Sequence, residues 1–179
     1  FFSHFWLKLK TFNLKKIHAS ITAVESYLPE QILTNADLEK IVNTTDEWIT
    51  ARTGIKERRI LKQGLGVSFM AINAANSILD KKKINPLDID MIIVATITPD
   101  MHATATAAYV ASEIGANNAF GYDLSAACSG FLFGMSTASS FIESGRYKKI
   151  LLIGADKMSS IVDYSDRNTC IIFGDGAGA

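Results

Sequence analysis

Small residues and one cysteine join an apolar strand pattern to a helical pattern between Asp123 and Phe131. The sequence of this stretch is Asp-Leu-Ser-Ala-Ala-Cys-Ser-Gly-Phe. This order places the thiol of Cys128 at the start of a helix. Unpaired backbone N–H groups and the helix dipole favour a negative charge there. Because a cysteine nucleophile reacts as its thiolate, the position suits a nucleophile.

The helix start alone does not complete a catalytic site. A helix terminus stabilises a charge by only roughly 0.3–2 kcal/mol, so a base or a second electrophilic group is expected from elsewhere. A free cysteine is also commonly a small buried hydrophobe. Placement alone therefore leaves both interpretations of Cys128 open.

Composition narrows the class of protein. The chain has 179 residues, 48% of them hydrophobic, and its 18 basic and 18 acidic side chains cancel, which is typical of a globular α/β protein without a nucleic-acid partner. The two cysteines, Cys128 and Cys170, lie far apart without metal-ligand spacing, which favours a reducing cytoplasm and predicts no metal site. The apolar runs 91–97 and 150–154 are too short for a membrane span of about 20 residues.

The first 16 residues differ from the rest. Aromatic residues alternate with four lysines, and no acidic residue occurs before Glu25. The charges follow and interrupt the apolar residues, so the segment does not fit a secretory signal. We expect residues 1–16 to be an extension, or an untrimmed reading frame, outside a domain that covers residues 17–179.

Hydrophobic periodicity predicts alternating strands and helices. The predicted strands are Ile17–Val24, Met91–Ile97, Ala119–Leu124, Ile150–Ala155 and Thr169–Phe173. One predicted helix begins near Thr34. The other predicted helices cover Asp46–Ala51, Ser68–Asp80, about Ala105–Ile114 and Cys128–Ser144. Near-continuous apolar strands separated by helices indicate a largely parallel sheet with both faces covered. The helix after Cys128 is expected to bury its large apolar side chains, Phe131, Leu132, Met135, Ala138, Phe141 and Ile142.

Several sequence blocks stand in a specific order and spacing. They are Ser26–Glu30, Thr34–Glu39, Thr45–Ile49, Arg52–Arg59, Ala126–Phe131, Asp166–Arg167 and Ile171–Ala179. Together they resemble the β-ketoacyl-acyl carrier protein synthase III family of the thiolase superfamily. The resemblance implies a thiolase-like α/β fold with a mostly parallel five-stranded sheet covered by helices, one of two pseudo-repeated halves.

The resemblance also implies an activity. Members of the family start type II fatty acid synthesis by condensing an acyl-CoA primer, usually acetyl-CoA, with malonyl-acyl carrier protein, giving CoA, CO2 and 3-oxoacyl-acyl carrier protein. Cys128 matches the acylated cysteine, and its backbone N–H matches half of the oxyanion hole. No cofactor is implied, because the CoA thioester is a substrate. A homodimer is implied, with Ala119–Leu124 at the interface.

Four further residues match family positions that contact CoA. The indole of Trp48 would stack on adenine, and the guanidinium of Arg52 would contact the nucleotide end; Thr44 and Arg167 match further contacts. Without the resemblance, Trp48 is an ordinary amphipathic-helix residue and Arg52 a solvated charge. The basic run Arg52–Arg59 could steer an acidic carrier or CoA, or be a solvated face.

Two departures limit what the resemblance implies. The histidine and asparagine that assist decarboxylation in the family would lie beyond residue 179, so this chain alone is expected to be inactive in condensation. Ala103 stands where members commonly carry a phenylalanine that shapes the acyl pocket, which predicts a roomier primer pocket.

Two other functions stay open. A neighbouring condensing enzyme of polyketide or 3-hydroxy-3-methylglutaryl-CoA type would share the Cys128 helix without the Trp48 and Arg52 blocks. A noncatalytic acyl-CoA-binding fragment would carry an inert cysteine.

Overall fold

A computed structural model describes residues 16–179 of the chain. Its strands are β1 (Ser26–Tyr27), β2 (Gln31–Thr34), β3 (Glu57–Ile60), β4 (Met91–Ala95), β5 (Phe120–Leu124), β6 (Ile150–Lys157) and β7 (Asp175–Gly178). Its α-helices are α1 (Asn35–Leu38), α2 (Asp46–Thr53), α3 (Val67–Lys82), α4 (Thr106–Glu113), α5 (Gly130–Glu143) and α6 (Arg167–Cys170). The predicted extension, residues 1–16, lies outside the described residues except for Lys16.

The main sheet has five strands in the order β1-β7-β6-β4-β5. Strands β5 and β6 pair in parallel with β4, because α4 and α5 provide the crossovers that parallel pairing needs. Strand β7 is antiparallel to β6, and β1 is antiparallel to β7. The predicted α/β class and the five strands of the main sheet are confirmed, but two of its four strand pairings are antiparallel, so the expectation of mostly parallel pairing is wrong.

Two predicted strands are wrong. Residues Ile17–Val24 have strand-like alternation but no strand pairing. Strand β1 pairs antiparallel with β7, and the two hydrogen bonds between Glu25 and Ala179 continue this register. In the same register, residues before Glu25 would pair with residues after Ala179. The predicted strand Thr169–Phe173 begins instead in helix α6, because the Asp166 side chain accepts a hydrogen bond from the N–H of Asn168 and caps that turn.

The sheet buries a different set of residues on each face. On one face, α3 and α4 pack against alternate residues of β4 and β6, among them Ile92, Val94, Leu151 and Ile153. On the other face, α5 packs against β4 and β6 through Gly130 and Gly134. This alternation follows from the two-residue period of a strand.

Helix α5 is covered on one side only among residues 16–179. Leu132 is 62% exposed, and Phe131 and Phe133 are exposed as well, so the prediction that α5 buries Phe131 and Leu132 is wrong for this part of the chain. The sequence pattern failed because α5 is apolar on several sides while the sheet covers one. Helices that are apolar on several sides are typically packed against protein on more than one side.

Within residues 16–179, no helix combines the length and hydropathy of a membrane span.

Candidate active site

Cys128 lies in a 3-10 turn, Ala127–Ser129, that follows β5 and leads directly into α5. Its side chain is exposed. The predicted helix start is thus confirmed, although α5 itself begins two residues later, at Gly130. The sulfur is reachable from solvent, as a nucleophile requires.

The residue before the cysteine has an unusual backbone. Ala127 has a φ of +45°, in the left-handed region that favours glycine. For an L-residue with a Cβ this conformation costs roughly 1 kcal/mol, and such strain concentrates at functional sites. The residue type does not indicate this conformation, since alanine does not favour that region.

Cys128 lines a cleft of about 460 Å³ at the ends of three strands. The cleft is lined by Leu28, Ala95, Ala127, Cys128, Phe131, Gly154, Ala155, Asp156, Gly174, Gly176, Ala177 and Gly178. The carboxyl ends of the parallel strands β4 and β6 form part of its wall, which is where open α/β sheets commonly place ligands. A Cβ on Gly154 would lie 3.0 Å from the Phe131 ring, so glycine there permits close packing beside the cysteine.

Asp156 is a polar residue of the cleft that the sequence analysis missed. One carboxylate oxygen accepts hydrogen bonds from the Thr96 hydroxyl at 3.0 Å, the Ile97 N–H at 2.8 Å and the Thr98 hydroxyl at 3.2 Å. The carboxylate therefore fixes the loop after β4 against the end of β6. Its position directly after the predicted apolar strand Ile150–Ala155 was the signal that could have indicated it.

Cys170, the other cysteine, is fully buried in a second small core with Leu38, Ile49 and Ile171. Burial raises the pKa of the Cys170 thiol, which suppresses its thiolate form. Only Cys128, of the two, has the exposure that chemistry at sulfur needs.

A second group of predicted residues meets around one indole ring. Trp48 and Arg52 lie one turn apart on α2, and the guanidinium carbon of Arg52 is 4.2 Å from the centre of the Trp48 ring. The guanidinium carbon of Arg167, on α6, is 4.6 Å from the same centre. Arg167 also donates a hydrogen bond to the Asn43 carbonyl at 3.1 Å, beside Thr44. The structure thus brings Trp48, Arg52 and Arg167 together, with Thr44 on the adjoining loop.

The charge of this group is uncompensated among the described residues. Neither Arg52 nor Arg167 has a carboxylate at salt-bridge distance there. The Thr44 hydroxyl oxygen is buried and has no hydrogen-bond partner in the same part of the chain. Two guanidinium groups beside a flat aromatic surface can hold a ligand that combines phosphate with a planar ring.

The predicted site residues fall in two places. Cys128 lies in the cleft at the strand ends, whereas the Trp48 group lies around α2 and α6.

The basic run that included Arg52 is not one solvated face, because Arg58 is buried. His102 is exposed on the loop after β4. Among residues 16–179, no three His, Cys, Asp or Glu side chains come together as a candidate metal site.

Comparison with known proteins indicates the family of the chain. The family model of 3-oxoacyl-[acyl-carrier-protein] synthase III matches residues 122–179. A β-ketoacyl-[acyl-carrier-protein] synthase III of Bacteroides thetaiotaomicron is 56% identical over 167 residues, 93% of this chain and 50% of that protein. The synthase III of Chlorobaculum tepidum is 57% identical over 161 residues, 89% of this chain and 49% of that protein. The chain belongs to the β-ketoacyl-acyl carrier protein synthase III family.

Two solved structures share the fold. The 3-oxoacyl-[acyl-carrier-protein] synthase III of Aquifex aeolicus superposes with a TM-score of 0.84 at 49% identity, covering 91% of this chain and 51% of that chain. A priming β-ketosynthase of the R1128 polyketide pathway superposes with a TM-score of 0.88 at 35% identity, covering 91% of this chain and 49% of that chain. The predicted thiolase-like fold is confirmed. The chain spans about half the length of the curated synthase III relatives it matches, the N-terminal half.

Proposed function

We propose that Cys128 is the acyl-carrying nucleophile of a condensing acyltransferase that starts type II fatty acid synthesis. The observation that carries this proposal is the exposed Cys128 in a cleft at the strand ends, immediately after the left-handed Ala127. Family membership supplies the reaction: acetyl-CoA or another short acyl-CoA is joined to malonyl-acyl carrier protein.

The first half-reaction is acyl transfer to sulfur. The Cys128 thiolate attacks the carbonyl carbon of the primer thioester, and the resulting oxyanion is stabilised by backbone donors that include the Cys128 N–H. The bond from that carbon to the CoA sulfur then breaks, and CoA leaves as a thiolate that takes up a proton. Sulfur suits both steps, since a thiolate is a good nucleophile and a good leaving group.

The second half-reaction forms the carbon–carbon bond. Loss of CO2 from the malonyl group leaves its electron pair on the adjacent carbon, which attacks the acyl carbonyl. The bond to the Cys128 sulfur breaks, and 3-oxoacyl-acyl carrier protein is released. A histidine and an asparagine assist this step in the family, and Cys128 serves it as the carrier of the acyl group.

The Trp48 group is proposed to hold the nucleotide end of acyl-CoA. The indole offers a surface for adenine, and Arg52 and Arg167 offer two charges for phosphate. The buried Thr44 hydroxyl offers a further polar contact. These features support CoA rather than a substrate without a nucleotide.

We also propose a homodimer that pairs through β5. This strand lies at one edge of the sheet, with β4 as its neighbour on the other side, and an unpaired edge is a ready surface for another strand. The measurement is light scattering of the purified chain, which should give the mass of two copies. A monomer at high micromolar concentration would contradict the dimer.

The proposal includes two finer points. A cytoplasmic location is supported by the free state of Cys128 and Cys170, and fractionation of cells would test it. A roomier primer pocket is supported by Ala103, which is exposed in this chain. Equal turnover of acetyl and branched primers by a full-length enzyme, unchanged in Ala103→Phe, would contradict that pocket.

Mass spectrometry after incubation with acetyl-CoA tests the main proposal. One acetyl group should appear on the wild-type chain and on Cys170→Ala, which serves as the matched control, and should be lost in Cys128→Ala. An adduct that persists in Cys128→Ala overturns the assignment. CoA binding without any adduct supports the noncatalytic alternative.

A further inference from the structure

Arg58 on β3 is a buried cation with an unusual set of partners. It is 3% exposed, and its Nε and Nη2 both donate to the Ile171 carbonyl, while Nη1 donates to the Asn35 side-chain oxygen. No carboxylate lies at salt-bridge distance among residues 16–179. Arginine is rarely buried, because burying a charge costs free energy. The buried position of Arg58 therefore indicates a role beyond packing.

Asn35 extends the contacts of Arg58 to a third element. It is 2% exposed, and its side-chain nitrogen donates to the Asp46 carboxylate at 2.6 Å and to the Ile55 carbonyl at 2.9 Å, with the Thr50 hydroxyl at 3.3 Å. A continuous line of hydrogen bonds therefore runs from the Ile171 carbonyl through Arg58 and Asn35 to Asp46.

Each end of this line adjoins a member of the Trp48 group. Asp46 is the first residue of α2, the helix that carries Trp48 and Arg52. Ile171 follows α6 directly, and α6 begins with Arg167. The segment after Ile171 is also held close to β3, since a Cβ on Gly174 would lie 3.0 Å from the Arg59 carbonyl. Arg58 thus joins the two helices whose side chains meet at one indole.

The chemistry of the guanidinium explains why arginine occupies this position. Its planar fork reaches one carbonyl with two N–H groups and an amide oxygen with a third, a geometry that the single nitrogen of lysine cannot reproduce. Burial lowers the pKa of Arg58, but a guanidinium titrates so far above neutral pH that it keeps its charge.

We propose that Arg58 is a positioning residue for acyl-CoA: through Asn35 and the Ile171 carbonyl it fixes the spacing between the Trp48 ring and the Arg167 guanidinium. The choice of ligand rests on the proposed function. The positioning role itself rests on the hydrogen bonds and applies to the protein without ligand.

The test compares Arg58→Lys with Arg59→Lys on the same strand. Arg59 is a matched control because, within residues 16–179, its half-buried guanidinium bonds only the Pro29 carbonyl, at 3.3 Å, and Glu57, at 3.4 Å. Both changes are made in a Trp6→Phe background, which leaves Trp48 as the single tryptophan. Three quantities are measured: acrylamide quenching of Trp48 without ligand, the Kd for CoA, and the rate of Cys128 acetylation at saturating acetyl-CoA.

Arg58→Lys should increase Trp48 quenching and weaken CoA binding about tenfold, the loss expected of one charge-assisted hydrogen bond. Acetylation at saturation should stay within about twofold, because Cys128 lies in the separate cleft. Arg59→Lys should leave all three quantities within about twofold. A merely structural role would lower the saturated rate together with the affinity, through loss of folded protein.

A second pair of variants covers the case in which Arg58→Lys does not fold. Asp46 and Glu47 are both exposed in the first turn of α2, but only Asp46 receives the hydrogen bond from Asn35. Asp46→Ala should change Trp48 quenching and CoA affinity in the same direction as Arg58→Lys, and Glu47→Ala should change neither.

The proposal is overturned if Asp46→Ala and Arg58→Lys leave both quenching and affinity unchanged. It is also overturned if the saturated acetylation rate falls as much as the affinity. If the Arg59→Lys control does not bind CoA at all, the proposed function is wrong. Acrylamide quenching of Trp48 in the ligand-free protein then still tests the positioning role of Arg58.

Discussion

The guanidinium carbon of Arg167 lies 4.6 Å from the centre of the Trp48 ring, although strands β3, β4, β5 and β6 separate the two residues in the chain. Arg52 approaches the same ring at 4.2 Å. Two like charges around one ring repel each other, and an anion beside them offsets that repulsion. The arrangement therefore favours a ligand that carries negative charge and a flat ring together.

Arg167→Ala should weaken CoA binding about tenfold, because it removes both a cation beside the indole and a partner for phosphate. Arg146→Ala is the matched control: Arg146 also lies over an aromatic ring, 5.9 Å from the centre of Tyr147, but outside the Trp48 group. Isothermal titration with CoA measures both. Equal affinities for the two variants would exclude Arg167 from the binding site.

Ala127→Gly should stabilise the chain by about 0.5–1 kcal/mol. Glycine adopts the left-handed φ of Ala127 without steric cost, and this relief outweighs the extra entropy of the unfolded chain. Ala126→Gly is the control, since Ala126 has a negative φ of −151° and should lose about 0.5–1 kcal/mol. Urea denaturation measures the free energy of unfolding of both. A loss at position 127 as large as that at position 126 would show that Ala127 carries no strain.

Local patterns predicted much of the fold and part of the site. Helix α3 follows from its apolar spacing, and the end of α2 follows from the left-handed Gly54. The turn that exposes Cys128 was predicted for the same reason: small residues between a strand pattern and a helix pattern are adjacent in sequence. The roles of Cys128 and the Trp48 group came from the family resemblance and remain proposals.

Long-range contacts are what the sequence could not indicate. The basic residues of the segment Arg52–Arg59 look alike in the sequence, yet Arg58 is buried because Asn35 and the Ile171 carbonyl, distant in sequence, supply its partners. Strand β7 is rich in glycine and carries little strand propensity, and its pairing with β1 and β6 decides its conformation. Such partners become visible only when the chain is folded.

Gly121→Ala should destabilise the chain by about 2 kcal/mol. A Cβ at this position of β5 would lie 2.8 Å from the Ile92 carbonyl oxygen and 2.9 Å from the Ala107 Cβ, so backbone must shift to admit it. Gly178→Ala in β7 is the control, because the nearest atom to its added Cβ is 3.9 Å away. Thermal and urea unfolding of both variants measure the difference. Equal stability would mean that α4 and β5 can separate at little cost.

The capping box of α1 gives the chain a feature that depends on pH. The Thr34 hydroxyl and N–H donate to the Asp37 carboxylate at 2.6 and 3.2 Å, and these bonds, with Lys40, lower the pKa of Asp37 from its ordinary 3.8 to about 2. A carboxylate with a lower pKa in the folded state favours folding while it is ionised. Its contribution is therefore complete above pH 4 and is lost as the pH falls from about 4 to about 2.

Thr34→Ala should raise the pKa of Asp37 towards 3.8, because it removes the hydroxyl that lowers it most. Thr34→Ser keeps a hydroxyl and should keep the pKa near 2, which makes it the matched control. Carbon-detected NMR titration of the Asp37 carboxyl measures both values. The acid side of the stability curve should also be shallower in Thr34→Ala, since less stability remains to be lost on protonation. If both variants titrate alike, the backbone N–H and Lys40 alone hold the carboxylate ionised, and the hydroxyl contributes only to the geometry of the cap.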